Sequence, residues 1–224
     1  MRLAIMTKKT LITLLIILSF SKFTLGQISI KSVLLGGQVG YYNSYIDYAG
    51  IHPNEKKKTA AFNISIGKAL KENSVYGLNL TYSPSQADNF YYGTNYINLK
   101  IYQYNFGIFY RKYKKLATDF YFFTELGASY INAKQTNTDT MGAKLETIKQ
   151  LGGQLFLTPG LSYKVLNKLH LEIIIPNIVT IQYIVTKDET STQQTKQRQF
   201  LFNSSLNSSG NGLTFIGVGF HFIL

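Results

Sequence analysis

The chain contains no cysteine. That excludes disulfides, thiolate metal sites, a cysteine nucleophile and a lipidated N-terminal cysteine, so stability must come from packing and hydrogen bonding. Tryptophan is also absent, there are four prolines and three histidines, and 11 acidic residues face 23 basic ones. No stretch carries the 3.6-residue period of a helix that could cover a sheet. No apolar run reaches the roughly 20 residues of a helical membrane span. A nucleophile elbow and a His-x-Ser segment are both missing, and His52, before Pro53, has no metal-ligand partner at usable spacing.

What is present is aromatic and alternating. Tyr (17) and Phe (15) make up all of the 14% aromatic content, and mean hydropathy is −0.01, too polar for a helical membrane protein and ample for a barrel. The segment Ile101 to Ile131 is the most informative. Tyr104, Phe106, Ile108 and Tyr110 alternate with Gln103, Asn105, Gly107 and Arg111, and only Phe109 breaks the polar side. On the second arm Phe120, Phe122, Leu126, Ala128 and Tyr130 oppose Glu125, Gly127 and Ser129. With Lys112 to Asp119 as the connection, Arg111 is expected to face Asp119, Gly107 to face Phe123 and Asn105 to face Glu125. Both arms then put their polar residues on one face.

Six further strands follow the same pattern: Ser32 to Tyr42, Thr59 to Ala69, Val75 to Ser83, Gly153 to Lys164, Leu169 to Tyr183 bent at Pro176, and Leu213 to Leu224. Pro159 marks an edge or bulge in the sixth strand. Phe200 to Leu206 also alternates and blurs the last boundary. Long polar loops are expected at Asn43 to Lys58, Pro84 to Asn95, Asn132 to Gln150 and from Thr186. Connections thus alternate long and short. That rhythm predicts an all-β fold, an eight-stranded antiparallel up-and-down transmembrane β-barrel with apolar residues outward.

Met1 to Gly26 begins with Arg2, Lys8 and Lys9 and continues into the apolar run Thr10 to Phe20. It reads as a signal peptide, with residues 27–224 as the barrel domain. Removing Arg2, Lys8, Lys9 and Lys22 leaves 19 basic against 11 acidic residues. An exported basic chain of dispersed charge points to solvated strand ends and lipid headgroups, and not to nucleic acid.

The glycine-rich first strand, FGIFYRKYKKL followed by FYFFTELGASY, LTPGLSYKVLNKLHLEI and the terminal GVGFHFIL resemble the Bacteroidota outer-membrane β-barrel domain family, which includes PorT-like proteins. The resemblance covers essentially the whole chain after residue 26. It implies residence in the bacterial outer membrane and insertion by the barrel-assembly machinery. It also implies a C-terminal assembly signal at Gly219, Phe222 and Leu224, the last standing where the family usually has Phe.

Arg111, Glu125, Lys164, His170, Glu172 and His221 all fall on the inward parity. They are expected to form a structural network filling a narrow lumen, with Lys164 facing His170 and Ser162 facing Glu172. No catalytic, cofactor-binding or metal-ligating set is expected. A lipid-modifying relay of Ser162, His170 and Glu172 is the enzymatic alternative. A soluble lipocalin-like ligand binder with inverted faces is the other. The expected role is structural or adhesive through the external loops, meeting outer-membrane lipid and an extracellular partner, with an accessory role in a secretion apparatus as the alternative.

Overall fold

The computed structural model describes residues 28–46, 54–92, 95–190, 194–204 and 216–224. The signal-peptide assignment, His52 and the segment Leu213 to Phe215 lie outside them. Ten strand segments run in order: β1 Val33–Ile46, β2 Glu55–Lys71, β3 Ser74–Tyr92, β4 Asn95–Ala117, β5 Phe120–Thr138, β6 Lys144–Leu166, β7 Leu169–Ile174, β8 Val179–Thr190, β9 Gln194–Ser204 and β10 Gly217–Ile223. Every pairing is antiparallel, and β1-β2-β3-β4-β5-β6-β7-β10 closes on itself as a ring of eight. Above that ring β6 changes partner from β7 to β8, and β9 pairs outside β8.

The change of partner explains Pro159 and Pro176. β7 and β8 are one leg interrupted at Ile175–Ile178, around Pro176. Opposite the interruption sits Pro159, whose carbonyl accepts the Ile175 N–H at 3.0 Å. A strand residue points its N–H and C=O to the same side. The donor that proline lacks would therefore face the break, where no ladder bond is needed. A proline is thus compatible with a closed ring at this position.

Alternation sorts the faces as the sequence predicts. Ile64, Ile66, Leu78, Leu80, Phe106, Ile108, Leu126 and Leu155 are exposed outside. Arg111, Glu125, Ser129, Gln154, Ser162, His170, Glu172 and His221 are buried inside. Aromatic pairs border the apolar band: Tyr76–Tyr110 at 4.8 Å and Phe120–Tyr163 at 5.8 Å near the short turns, Tyr82–Tyr104 at 5.0 Å near the other rim. From Tyr102 to Tyr110 the band spans roughly 27 Å along the strand. An apolar exterior around a polar interior is the polarity of a barrel standing in lipid.

Two expectations are corrected. First, the long polar loops are largely strand. β1 continues to Ile46 and β2 starts at Glu55, β3 and β4 reach Tyr92 and Asn95, β5 and β6 meet across residues 139–143, and β8 and β9 reach Thr190 and Gln194. Beyond the apolar band the outward face is polar and the inward face is buried but built largely of small or polar residues such as Ala87, Ala133, Asn137 and Thr147, so the two-residue hydrophobic period fades while the backbone ladder persists. Second, the register of the central hairpin differs: Arg111 pairs with Glu125, Gly107 with Ser129 and Asn105 with Ile131. Lys112 to Ala117 belongs to β4, and the turn is Thr118–Asp119. The shift is six residues, an even number, so the face assignment survives.

Candidate functional site

The narrow end of the lumen is filled by a charged cluster carried on four strands. Arg111 from β4 donates through Nε to Glu125 Oε2 on β5 at 2.8 Å, and its Nη2 lies 2.6 Å from the same oxygen. Nη1 reaches Glu172 on β7 at 3.0 and 3.1 Å. Nη1 also lies 3.1 Å from the Tyr113 hydroxyl, which donates to Glu172 Oε1 at 3.3 Å. His221 on β10 places Nδ1 3.0 Å from Glu172 Oε2. Its Nε2 is 3.3 Å from Arg111 Nη1 and 3.4 Å from Ser65 Oγ. One guanidinium faces two carboxylates: Glu172 accepts from Arg111 and Tyr113 and meets His221, while Glu125 accepts from Arg111, the pairing a buried ionic group requires.

Aromatic rings and missing side chains make the room. The guanidinium lies 4.4 Å from the Phe123 ring centroid, within the range of a cation–π contact. A Cβ on Gly160 would stand 2.3 Å from Phe123, and one on Gly36 would stand 2.2 Å from His221 Nε2. Both glycines are close-approach positions, where any side chain would displace the ring. Below the cluster, Ile28, Leu34, Ala69, Val75 and Tyr121 form a small buried core, Ile174 packs above Glu172, and Ile28 accepts the Asn73 N–H.

Of the inward residues read from the sequence, Arg111, Glu125, Glu172 and His221 come together. His170 sits beside them, Ser162 Oγ lying 3.3 Å from its Nδ1. Lys164 pairs across from His170 and Ser162 from Glu172, as expected, with Lys164 half-buried toward the turn. Of the C-terminal residues, Gly219 faces inward against Gln38, while Phe222 and Leu224 lie outward and exposed. Tyr113 and Phe123 were missed. Tyr113 shares the parity of Arg111, so continuing the alternation one step past Arg111 finds it.

The relay alternative finds its serine beside its histidine, but both are buried at the closed end and Glu172 is held by Arg111 and His221. The cluster stands between them and the polar cavity above. Among the described residues no group of three or more potential metal ligands occurs. Above the cluster lies a cavity of about 340 Å³ lined by amides and hydroxyls, including Gln38, Asn63, Asn79, Gln103, Asn105 and Ser129.

No protein-family model and no curated protein matches the chain. Solved structures do. Neisserial surface protein A is 13% identical with a TM-score of 0.35, covering 85% of this chain and 96% of its own. A major outer membrane protein from Thermus thermophilus is 10% identical with a TM-score of 0.47, covering 86% and 99%. The outer membrane protease OmpT from Escherichia coli is 10% identical with a TM-score of 0.37, covering 91% and 96%.

Proposed function

We propose that this chain is a non-enzymatic outer-membrane β-barrel that acts at the cell surface through the polar extensions of its hairpins. The observation that carries this reading is the continuation of β3–β4, β5–β6 and β8–β9 beyond the apolar band as hydrogen-bonded ladders. Ordered strands hold a surface in a fixed shape, which a contact platform needs and a solvated loop lacks. The closed end carries the tight turns at Glu72–Asn73, Thr118–Asp119 and Asn167–Lys168, with residues 28–32 packed beside the first of them. The lumen between the two ends is closed by the charged cluster, so passage of solutes is not its work.

Cysteine labelling tests this reading, because the native chain offers no background thiol. Met141 is 94% exposed at the tip of the β5–β6 hairpin, and Glu72 is exposed in a tight turn. In intact cells a membrane-impermeant maleimide is expected to label Met141→Cys and to leave Glu72→Cys unlabelled until the cells are broken. Labelling of Glu72→Cys alone would reverse the orientation and end the surface role.

A further inference from the structure

The outward face just beyond the apolar band carries an unusual row. Lys134 on β5 pairs directly with Lys149 on β6, Lys149 with Lys187 on β8, and Lys187 with Lys196 on β9. All four are exposed. Like charges directly opposite one another destabilise a sheet, and here three such pairs follow in one rung. Lys100 and Arg198 flank the rung on the same face and are also exposed. Among the described residues of β5, β6, β8 and β9, Glu189 is the carboxylate sharing that face, and it holds Lys149 at 2.8 Å. Lys134, Lys187 and Lys196 thus present excess positive charge.

Four residues lower on each of the same strands, the rung is Tyr130, Gly153, Tyr183 and Phe200. Gly153 has no side chain, and a Cβ there would meet only the Ser129 carbonyl oxygen at 3.9 Å. The result is a shallow apolar groove of about 560 Å³ in the outer wall, lined by Phe106, Ile108, Tyr130, Leu155, Tyr183 and Phe200. The two rungs are about 13 Å apart along the strands. A cationic row above an apolar furrow, at the border of the lipid-facing band, matches one kind of molecule: an amphiphile with an anionic head and hydrocarbon tails.

We propose that this face binds a phosphorylated lipid of the surrounding leaflet, with its phosphate on the lysine rung and an acyl chain in the groove at Gly153. The site rests on the membrane-barrel reading and adds a ligand class to it. The phosphate offsets the repulsion between the paired lysines, and the tyrosines rimming the groove stand at the depth where head meets tail. Lys149 is fixed by Glu189, so Lys134, Lys187 and Lys196 supply the binding charge.

Native mass spectrometry of the folded protein in neutral detergent tests the site, with diphosphorylated lipid A as the probe and phosphatidylcholine as the uncharged control. Wild type is expected to retain lipid A and to lose phosphatidylcholine. Replacing Lys134, Lys187 and Lys196 together by Gln should weaken retention by roughly fivefold per lysine, about a hundredfold in all. Gly153→Leu, which fills the groove, should weaken it independently. Equal retention of both lipids, or unchanged retention in the triple variant, would overturn the proposal. So would displacement of lipid A by millimolar inorganic phosphate, which would make the rung a free-anion site. The same samples run unboiled and boiled on a dodecyl sulfate gel separate the two levels of failure. A heat-dependent shift without selective retention removes the lipid site alone, and absence of any shift removes the barrel reading with it.

Discussion

Arg111 and Glu172 lie 61 residues apart in sequence, yet their side chains meet at 3.0 Å with both almost fully buried. The ring closure that brings β4 and β7 to opposite sides of a narrow lumen makes that contact. Removing the guanidinium leaves two buried carboxylates facing each other. Arg111→Met is therefore expected to destabilise the folded barrel by about 3–5 kcal/mol. Urea titration read by the folded band on a gel measures it, and a loss below about 1 kcal/mol would show that water reaches the cluster.

The same cluster closes the lumen. In a planar bilayer the wild-type protein is expected to pass almost no current. The apolar core of Ile28, Leu34, Ala69, Val75 and Tyr121 beneath the cluster closes the lumen a second time, so a variant with both Arg111 and Phe123 replaced by Ala, inserted as a folded barrel, should still pass almost no current. Steady conductance of the wild-type protein would contradict the closure.

Gly36 and Gly160 test packing without touching charge. A methyl at Gly36 would stand 2.2 Å from His221, and one at Gly160 would stand 2.3 Å from Phe123. Overpacking of this kind costs about 1–3 kcal/mol. Gly153→Ala makes one ordinary contact, with the Ser129 carbonyl oxygen, and should leave stability unchanged in the same titration. Equal effects at all three positions would contradict the inward placement of the rings.

Above the apolar band two carboxylates respond to pH in opposite directions. The hydrogen bond between Glu146 and Asp188 raises the Glu146 carboxyl above its ordinary value, helped by burial and by the Asp188 charge. Asp188 Oδ1 is sequestered and lacks a donor unless Glu146 supplies a proton. A raised folded-state value means that this stabilisation is complete below about pH 4.5 and is lost as pH rises through the folded-state value. The hydrogen bond from Lys149 lowers Glu189, so its contribution is present above the ordinary carboxylate range and lost as pH falls. Amide exchange in β6 and β8, corrected for intrinsic rate, should show Glu146→Gln more protected than wild type at pH 7 and equal to it at pH 4. Glu189→Gln should be less protected at pH 7. Identical protection in all three proteins would show that neither pair matters.

How much of this was legible in sequence follows from what periodicity can carry. Ile108 and Arg111 were assigned to opposite faces because one side of the wall meets lipid and the other meets polar groups. Past Tyr102 and Tyr130 that contrast ends, so the ladders joining Lys134 to Lys149 and Lys187 to Lys196 left no alternating signal and read as loops. The lysine rung itself needed the register, which periodicity fixes only to an even number of residues. For the same reason Arg111 was set opposite Asp119 instead of Glu125, although both choices put it in the lumen. Tyr113 was hidden among Lys112, Lys114 and Lys115, whose charges suggest a turn, whereas Lys112 and Lys114 point outward from a strand that continues to Ala117.

The central claim is that the polar face is inside a closed ring and the apolar face meets lipid. A membrane fraction run in dodecyl sulfate with and without boiling tests it most directly. The account predicts that the protein sediments with membranes and that the unboiled sample migrates apart from the boiled one. Recovery from the periplasm without detergent, with a single band under both conditions, would contradict it and turn the sheet inside out.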